Sequence, residues 1–261
     1  MVLGTYKVWY AIIITSHPFR EQWIGQTLEA NQMLVLIDNA NLKEIESLYD
    51  MYPYDGVTTN PTILKNEHTN PIRLLKDIRS LLPAECQLHA QVISDTTEGI
   101  LEEAHFMLDE IAEDLFIKVP VSAAGMKAIH LLKQEGVNIT ATAIYTAMQA
   151  FMAGKAGARY TAPYVNRLDN MGADGVQVAA DIHNMFRLHN MECDVLAASF
   201  KNSQQILNLC KKGVGAVTAA PDVLRALIQH DATFTAEENF ENDFYSLVHE
   251  IKGIDLNKKR D

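Results

Sequence analysis

Short apolar runs, rich in β-branched residues, alternate along the chain with longer segments in which apolar residues recur every three to four positions. The short runs predict buried strands, and the longer segments predict amphipathic helices. The predicted strands are Leu34–Asp38, Gly56–Asn60, Gln87–Val92, Leu115–Val121, Asn138–Ile144, Arg159–Val165, Asp194–Phe200 and Ala216–Ala220. The predicted helices include Thr96–Ile111, Ala123–Glu135, Thr146–Gly157, Gly175–Leu188, Ser203–Lys211 and Val223–Ile228.

The alternation of strands and helices predicts the fold class. Strand–helix–strand units join by right-handed crossovers and give a parallel sheet. Eight such units fit a closed (β/α)8 TIM barrel of the α/β class. A doubly wound open sheet is the alternative. It is disfavoured because no G-x-G-x-x-G follows the first strand and no G-x-x-x-x-G-K-[ST] occurs in the chain.

Two segments flank the predicted barrel, which spans residues 33–232. Residues 1–32 lack the strand–helix pattern, and their apolar stretch VWYAIII is too short to span a membrane and is not followed by a signal cleavage site. We expect an N-terminal extension that is either a disordered arm or, preferably, upstream sequence added through an early start codon. Residues 233–261 are expected to form an extra C-terminal helix, Ala236–Lys252, and a tail. The apolar residues of this helix form a stripe that must pack against the barrel or a neighbouring subunit. They are Phe240, Phe244, Leu247, Val248 and Ile251.

Composition narrows the class of partner. With 261 residues, 48% of them hydrophobic, the chain can bury a full core. Its net charge of −11 argues against nucleic acid or an anionic membrane as a partner, but it leaves a phosphorylated small molecule possible. The cysteines Cys86, Cys193 and Cys210 show no C-x-x-C spacing, which suits a reducing cytoplasm. The nine histidines form no H-x-H or H-E-x-x-H pattern, so no metal site is predicted.

Polar residues stand at the C-terminal ends of nearly all the predicted strands. In a barrel of this type the active site lies at that end. Strand ends that merely face solvent would account for a few such residues, but not for a carboxylate, a lysine, a tyrosine and amides at one mouth. We therefore expect a site built from Asp38, Thr58, Asn60, Gln91, Lys118, Thr142, Tyr164, Asn166, Arg167, Ser199 and Lys201.

Lys118 interrupts the apolar run DLFIKVPVS, residues 114–122. It could lie on an edge strand and reach solvent, which is common for lysines. If instead it faces the barrel interior with Phe116 and Pro120, its amine is desolvated. Desolvation lowers the pKa of a lysine and exposes the neutral amine that attacks a carbonyl. An inward Lys118 therefore predicts Schiff-base chemistry.

Six motifs in one order resemble the transaldolase and fructose-6-phosphate aldolase family. They are VTTNPTIL (57–64), HAQV (89–92), IKVPVS (117–122), TATAIY (140–145), APYVNRLD (162–169) and LAASFKN (196–202). The resemblance runs from Met33 to the C-terminal helix and is closest to the fructose-6-phosphate aldolase branch. It does not cover residues 1–32.

The resemblance implies roles for the residues that would carry the reaction. Lys118 matches the Schiff-base lysine on the fourth strand. Asp38 matches the aspartate that binds substrate hydroxyls and assists proton transfer at the cleaved bond. Thr58 and Asn60 match groups around the ketose hydroxyls, and Thr142 matches a group that helps to hold a catalytic water.

The resemblance also implies phosphate contacts near strands six and seven. Ser199 and Arg167 match these contacts, and arginine suits the task because its planar fork meets phosphate oxygens in a fixed geometry. Lys201 lies beside them and can add charge. Asn166, in the same motif as Arg167, is expected to bind substrate as well.

Gln91 and Tyr164 bear on which of the family's two activities is present. Transaldolases typically have glutamate and phenylalanine at these positions. A tyrosine hydroxyl can donate and accept a proton, whereas phenylalanine cannot, and Gln91 and Thr142 can hold the water that relays it. We therefore expect a class I aldolase that cleaves fructose 6-phosphate reversibly to dihydroxyacetone and glyceraldehyde 3-phosphate without metal or cofactor. A transaldolase of the pentose phosphate pathway is the alternative.

Two further alternatives are less consistent with the sequence. A non-catalytic sugar-phosphate-binding barrel predicts loss of the lysine or of its proton-transfer partners, and both are present. A metal-dependent aldolase predicts a histidine cluster at the strand ends, which the sequence lacks. Compact members of the family resemble ring-forming oligomers, so we expect a homo-oligomer, a pentamer or decamer, in which the C-terminal helix reaches a neighbour.

Overall fold

The computed structural model describes residues 32–250, which form a closed barrel of eight parallel strands surrounded by helices. Each strand pairs with the next, and β8 pairs with β1. The strands are β1 (Leu34–Asp38), β2 (Gly56–Thr58), β3 (Gln87–Gln91), β4 (Phe116–Pro120), β5 (Ile139–Ile144), β6 (Tyr160–Pro163), β7 (Asp194–Ala197) and β8 (Ala216–Ala219). The helices are α1 (Leu42–Met51), α2 (Pro61–Asn66), α3 (Pro71–Leu81), α4 (Thr97–Glu110), α5 (Ala123–Gln134), α6 (Ala147–Ala156), α7 (Val165–Asn170), α8 (Gly175–Leu188), α9 (Ser203–Lys211), α10 (Pro221–Arg225) and α11 (Asp231–Glu250).

The predicted (β/α)8 barrel with an extra C-terminal helix is confirmed. The extra helix, α11, begins at Asp231 rather than at Ala236, and Asp231 places a carboxylate in the first turn, where it favours helix formation. The predicted extension over residues 1–32, apart from Gln32, lies outside the described residues, as does the tail from residue 251. Within residues 32–250 no helix is long and apolar enough to cross a membrane.

Six of the strands end one to three residues earlier than predicted, and the difference is largest at β2, β6 and β7, where short loops and helix caps take over at the mouth of the barrel. β2 ends two residues before Asn60, which caps α2 by accepting a hydrogen bond from the Ile63 amide (3.0 Å). β6 ends one residue before Tyr164, which precedes α7. β7 ends two residues before Ser199, whose φ of 63° does not fit an extended strand. Polar residues predicted at strand ends therefore lie in loops above them.

The apolar residues form two cores. The larger core lies between the outer face of the sheet and the helices, and it includes residues such as Ile37, Val119 and Ile182. A smaller cluster joins inward-facing side chains of five strands: Leu36, Phe116, Tyr160, Leu196 and Ala216. Because this cluster fills the interior below the polar residues, a substrate can enter only from the C-terminal ends of the strands.

Candidate active site

A pocket of about 330 Å³ opens at the C-terminal end of the barrel. It is polar and contains a carboxylate and two cationic side chains. Its walls are made by the ends of β1, β3 and β4 and by the loops and helices that follow β2, β6 and β7. The lining residues are Asp38, Asn60, Pro61, Thr62, Gln91, Lys118, Tyr164, Arg167, Ala198 and Ser199.

Lys118 rises from β4 into this pocket. The side chain is buried, with the whole residue 6% exposed, and its Nζ donates a hydrogen bond to the Thr59 carbonyl (2.8 Å). Burial lowers the pKa of the Lys118 amine, and the nearby Asp38 carboxylate partly opposes this. The alternative of a lysine on an edge strand is excluded, because the barrel is closed and β4 pairs on both sides.

Asp38 is held at the end of β1 by hydroxyl groups. Its Oδ1 accepts a hydrogen bond from Thr58 Oγ1 (2.7 Å), and Thr58 Oγ1 also lies 2.7 Å from Thr218 Oγ1. Since the single Thr58 hydrogen points to the carboxylate, Thr218 is the donor of the second bond. Burial raises the pKa of Asp38, and the positive charge of Lys118, the bond from Thr58 and the charge of Arg167 counteract that rise.

A pair of hydroxyl groups faces Lys118 from β5 and α7. Thr142 Oγ1 and the Tyr164 hydroxyl lie 2.9 Å apart, with Thr142 fully buried and Tyr164 on the pocket wall. Gln91, the register partner of Lys118 on β3, lines the pocket beside them. The predicted residues are thus brought around Lys118: Gln91 lies on β3, on one side of β4, and Thr142 and Tyr164 lie on the other side.

Arg167 is placed at the outer wall of the pocket by two tyrosines. Its guanidinium lies 4.6 Å from the centre of the Tyr164 ring, and its Nη1 donates to the Tyr145 hydroxyl (3.4 Å). The hydrogen bond that Arg167 donates to Tyr145 raises the pKa of Arg167. The exposed guanidinium and Ser199 therefore provide a cation and a hydroxyl at the entrance, a combination that suits an anionic group of a ligand.

Three of the residues predicted to bind substrate do not line the pocket: Asn166, Lys201 and Thr58. Asn166 is half-buried, and its backbone amide donates to the Ser199 carbonyl (2.7 Å), which ties α7 to the loop after β7. Lys201 is exposed, and its backbone amide donates to Gln205 Oε1 (2.8 Å). Their contact with substrate stays a prediction. Thr58 also lies below the lining residues, where it contacts Asp38.

Several residues that were not predicted also shape the site. Thr59 provides the carbonyl that accepts from Lys118, and Thr218 supports Thr58. Tyr145 orients Arg167, and Thr62 lines the pocket. Thr218 had a detectable signal, since it is the only polar residue of its apolar strand. Thr62 and Tyr145 fall within the quoted motifs, but nothing in the pattern marked them.

The part of the chain that the structure describes contains no group of three or more His, Cys, Asp or Glu side chains arranged to hold a metal ion. The charged groups that line the pocket are Asp38, Lys118 and Arg167.

The chain is similar to known proteins over most of its length. The family model described as "Transaldolase/Fructose-6-phosphate aldolase" matches residues 35–260. A protein of Streptococcus pneumoniae named "Probable fructose-6-phosphate aldolase" is 42% identical over 214 residues, which are 82% of this chain and 96% of that protein. A solved structure described as "Native KDPGal structure" has a TM-score of 0.52 at 15% identity and covers 76% of this chain and 86% of that chain. That structural likeness supports the fold alone.

Proposed function

The chain belongs to the transaldolase/fructose-6-phosphate aldolase family, and from this premise we propose that it is a class I aldolase. It would cleave fructose 6-phosphate reversibly to dihydroxyacetone and glyceraldehyde 3-phosphate through a Schiff base on Lys118. The reaction needs no metal or organic cofactor, because the protonated imine itself accepts the electrons of the broken bond.

The observation that carries this proposal is the state of Lys118. Its amine is buried at a polar pocket, and burial lowers its pKa, so that a larger fraction is neutral and nucleophilic at neutral pH. A lysine that only bound an anion would be better placed in solvent with its charge retained. The hydrogen bond that Lys118 Nζ donates to the Thr59 carbonyl holds the amine in position. Because this oxygen is uncharged, the bond is not an ion pair.

Cleavage would proceed in two steps from the bound open-chain ketose. The Lys118 nitrogen attacks the C2 carbonyl, water leaves, and a protonated imine forms. Asp38 then takes the proton of the C4 hydroxyl, the C3–C4 bond breaks, and its electrons move into the imine to give an enamine and glyceraldehyde 3-phosphate. The raised pKa of Asp38 suits this role, because a more basic carboxylate accepts a proton more readily.

Release of dihydroxyacetone requires a proton at C3 of the enamine. We assign this proton to Tyr164, whose hydroxyl is paired with Thr142 (2.9 Å), with Gln91 and Thr142 holding a relay water. Water then adds to the imine carbon, dihydroxyacetone leaves, and the Lys118 amine is restored. Asp38 returns its proton to solvent, and Tyr164 regains one through the relay water, so that every group ends in its starting state. Protonation in the site is what separates this reaction from transfer to an acceptor aldehyde.

The remaining residues would bind the substrate. Asn60 and Thr58 lie near Asp38, where the ketose hydroxyls are expected, and Arg167 and Ser199 would bind the phosphate at the entrance. Lys201 and Asn166 would contribute only if the loops after β6 and β7 adjust on binding. We place the reaction in cytoplasmic sugar-phosphate metabolism, where the three free cysteines would remain reduced.

The test measures glyceraldehyde 3-phosphate released from fructose 6-phosphate, with and without erythrose 4-phosphate as acceptor. An aldolase releases it in both assays, whereas a transaldolase, the second candidate, releases it only when the acceptor is present. In parallel, borohydride is added with dihydroxyacetone, and the adduct is mapped by mass spectrometry. We expect the adduct on Lys118.

The control is Lys118→Ala, which removes the amine and should lower turnover more than a thousandfold while the barrel remains folded by circular dichroism. Substantial activity in this variant, or an adduct on another residue, would contradict the assignment of Lys118. Absence of any adduct in the unmodified protein would contradict the Schiff-base mechanism itself.

A further inference from the structure

A chain of hydrogen-bonded side chains crosses the barrel interior below the pocket. Gln87 Nε2 donates to the Tyr160 hydroxyl oxygen (3.2 Å), Gln87 Oε1 lies 3.0 Å from His89 Nε2, and His89 Nδ1 lies 2.9 Å from Thr140 Oγ1. The chain links β3, β5 and β6. His89 and Thr140 are fully buried, so each must find its hydrogen-bond partners within the protein.

The donors and acceptors determine the direction of this chain. The Gln87 amide nitrogen can only donate and its oxygen can only accept, so the hydrogen in the second bond belongs to His89 Nε2. Burial holds the pKa of His89 well below its usual value, so the ring is neutral and Nδ1 carries no hydrogen. Nδ1 therefore accepts from the Thr140 hydroxyl, and every hydrogen points away from Thr140 towards Tyr160.

The start of the chain lies beside Lys118. Thr140 is the register partner of Lys118 on the neighbouring strand β5, and both side chains are buried. After burial, the positive charge of Lys118 is the second cause of the lowered pKa of His89. Aligned hydrogen bonds reinforce one another, and their negative end is the oxygen of the first donor, Thr140.

We propose that His89 is a positioning residue that acts through Thr140 to present the negative end of this chain to the cation formed at Lys118. The inference rests on the Schiff-base function proposed above, in which that cation is the ammonium before reaction and the protonated imine during it. It explains why a histidine, a glutamine and a threonine occupy part of a barrel interior that aliphatic side chains could fill. The His89 ring also stacks on Phe116, with 4.5 Å between the ring centres, while its orientation is set by the hydrogen bonds of both nitrogens.

The test is the variant His89→Phe, which keeps an aromatic ring for stacking but removes both nitrogens. The Lys118 ammonium then loses a stabilising partner, so the pKa of Lys118 should fall. The acid limb of the pH profile of kcat/KM should therefore move to lower pH. The protonated imine loses the same partner, so kcat should fall about tenfold. Thr140→Val, which removes the hydroxyl at constant shape, should produce the same two changes.

A merely structural role predicts the opposite shift. If the substitution only loosened the barrel, water would reach Lys118, its pKa would return towards the usual value, and the acid limb would move to higher pH. That result, or an unchanged limb in both variants, would overturn the proposal. The matched control is Phe116→Leu, which disturbs the same stacked pair but not the chain. It should lower the melting temperature and leave the acid limb in place.

Other titratable groups face this part of the interior, and none is substituted in these variants: Asp38 from β1, Tyr160 from β6, Tyr164 from the position before α7 and Arg167 from α7. The tautomer gives an independent readout. Nitrogen-15 NMR of the unmodified protein should show His89 as the neutral Nε2–H form at neutral pH, and an Nδ1–H form would refute the direction of the chain.

Borohydride trapping separates this inference from the proposed function. An adduct on Lys118 in His89→Phe, together with an unmoved acid limb, would leave the Schiff base intact and reject the role of His89. Failure to trap an adduct in the unmodified protein would reject the proposed function, and the His89 inference that rests on it would fall as well, whatever tautomer NMR reports.

Discussion

Two hydrogen-bonded hydroxyl systems lie at the pocket, on opposite sides of Lys118. On one side Asp38 accepts a hydrogen bond from Thr58, which is in turn bonded to Thr218. On the other side the Tyr164 hydroxyl is paired with that of Thr142. Under the proposed mechanism the first system removes a proton when the C–C bond breaks, and the second returns one to the enamine. The two roles can therefore be separated by substitution.

Tyr164→Phe removes the proposed acid while keeping the ring under Arg167. Release of free dihydroxyacetone should fall about a hundredfold, because general acid catalysis contributes at least that factor. Transfer of the three-carbon unit to erythrose 4-phosphate should be retained within a few-fold, since cleavage does not use this proton. Both rates are measured on the same preparation.

Tyr145→Phe is the matched control for that experiment. It also removes a tyrosine hydroxyl at the mouth, but one that accepts a hydrogen bond from Arg167. We expect a higher KM for the phosphorylated substrate and an unchanged ratio of release to transfer. Equal loss of release and transfer in Tyr164→Phe would count against the protonation role.

The strand-end residues could be predicted because each follows a buried apolar run, as Asp38 and Lys118 do. The contact between His89 and Thr140 could not be predicted from the sequence. Alternation along a strand tells which face a side chain occupies, but not which inward side chains meet, because this depends on the stagger between strands. His89 pairs in register with Phe116, yet its ring reaches across β4 to Thr140.

At the scale of single elements, β5 contains an irregularity that shapes the pocket. The pairing of β5 with β6 shifts register between Ala141 and Ile144, and Ala143 lies there with a φ of 58°, in the left-handed region. Because of the extra residue, the Thr142 hydroxyl can contact the Tyr164 hydroxyl. The Tyr145 ring packs edge-on against the Tyr164 ring, with 5.7 Å between the ring centres. No hydrophobic pattern indicates such a bulge, since TATAI resembles a regular strand.

Ala143→Gly should stabilise the protein by about 0.5–1 kcal/mol, because glycine adopts positive φ without the steric cost that alanine bears. The midpoint of urea unfolding should rise, and turnover should stay unchanged. The control is Ala141→Gly on the same strand, whose φ is not positive and which is fully buried. It should lose at least about 0.5 kcal/mol. A loss of stability in Ala143→Gly would mean that the bulge carries no strain.

At the scale of the whole molecule, closure of the barrel explains the lysine in an apolar run. On an open sheet Lys118 could reach solvent at an edge, but eight paired strands leave no edge and turn its amine inward. The strand count and the alternation with helices were enough to predict closure. The position of α11 could not be predicted, because the apolar stripe of a terminal helix does not indicate what it packs against.

Within the described residues 32–250, apolar side chains of α11 are largely exposed. Phe240, Phe244 and Leu247 follow the helical spacing, and they are 71%, 49% and 49% exposed. A contiguous exposed apolar stripe of this kind marks an interaction surface. We therefore propose that α11 packs against a second copy of the chain.

This proposal predicts that the protein is a homo-oligomer whose mass in sedimentation equilibrium is a multiple of 29.2 kDa. Phe240→Ser combined with Phe244→Ser should shift the equilibrium towards the monomer, because most of the buried apolar area of the contact is lost. Asn242→Ser, on the opposite face of α11, should leave the mass unchanged. An unmodified protein that sediments as a monomer would require α11 to be covered by some other surface.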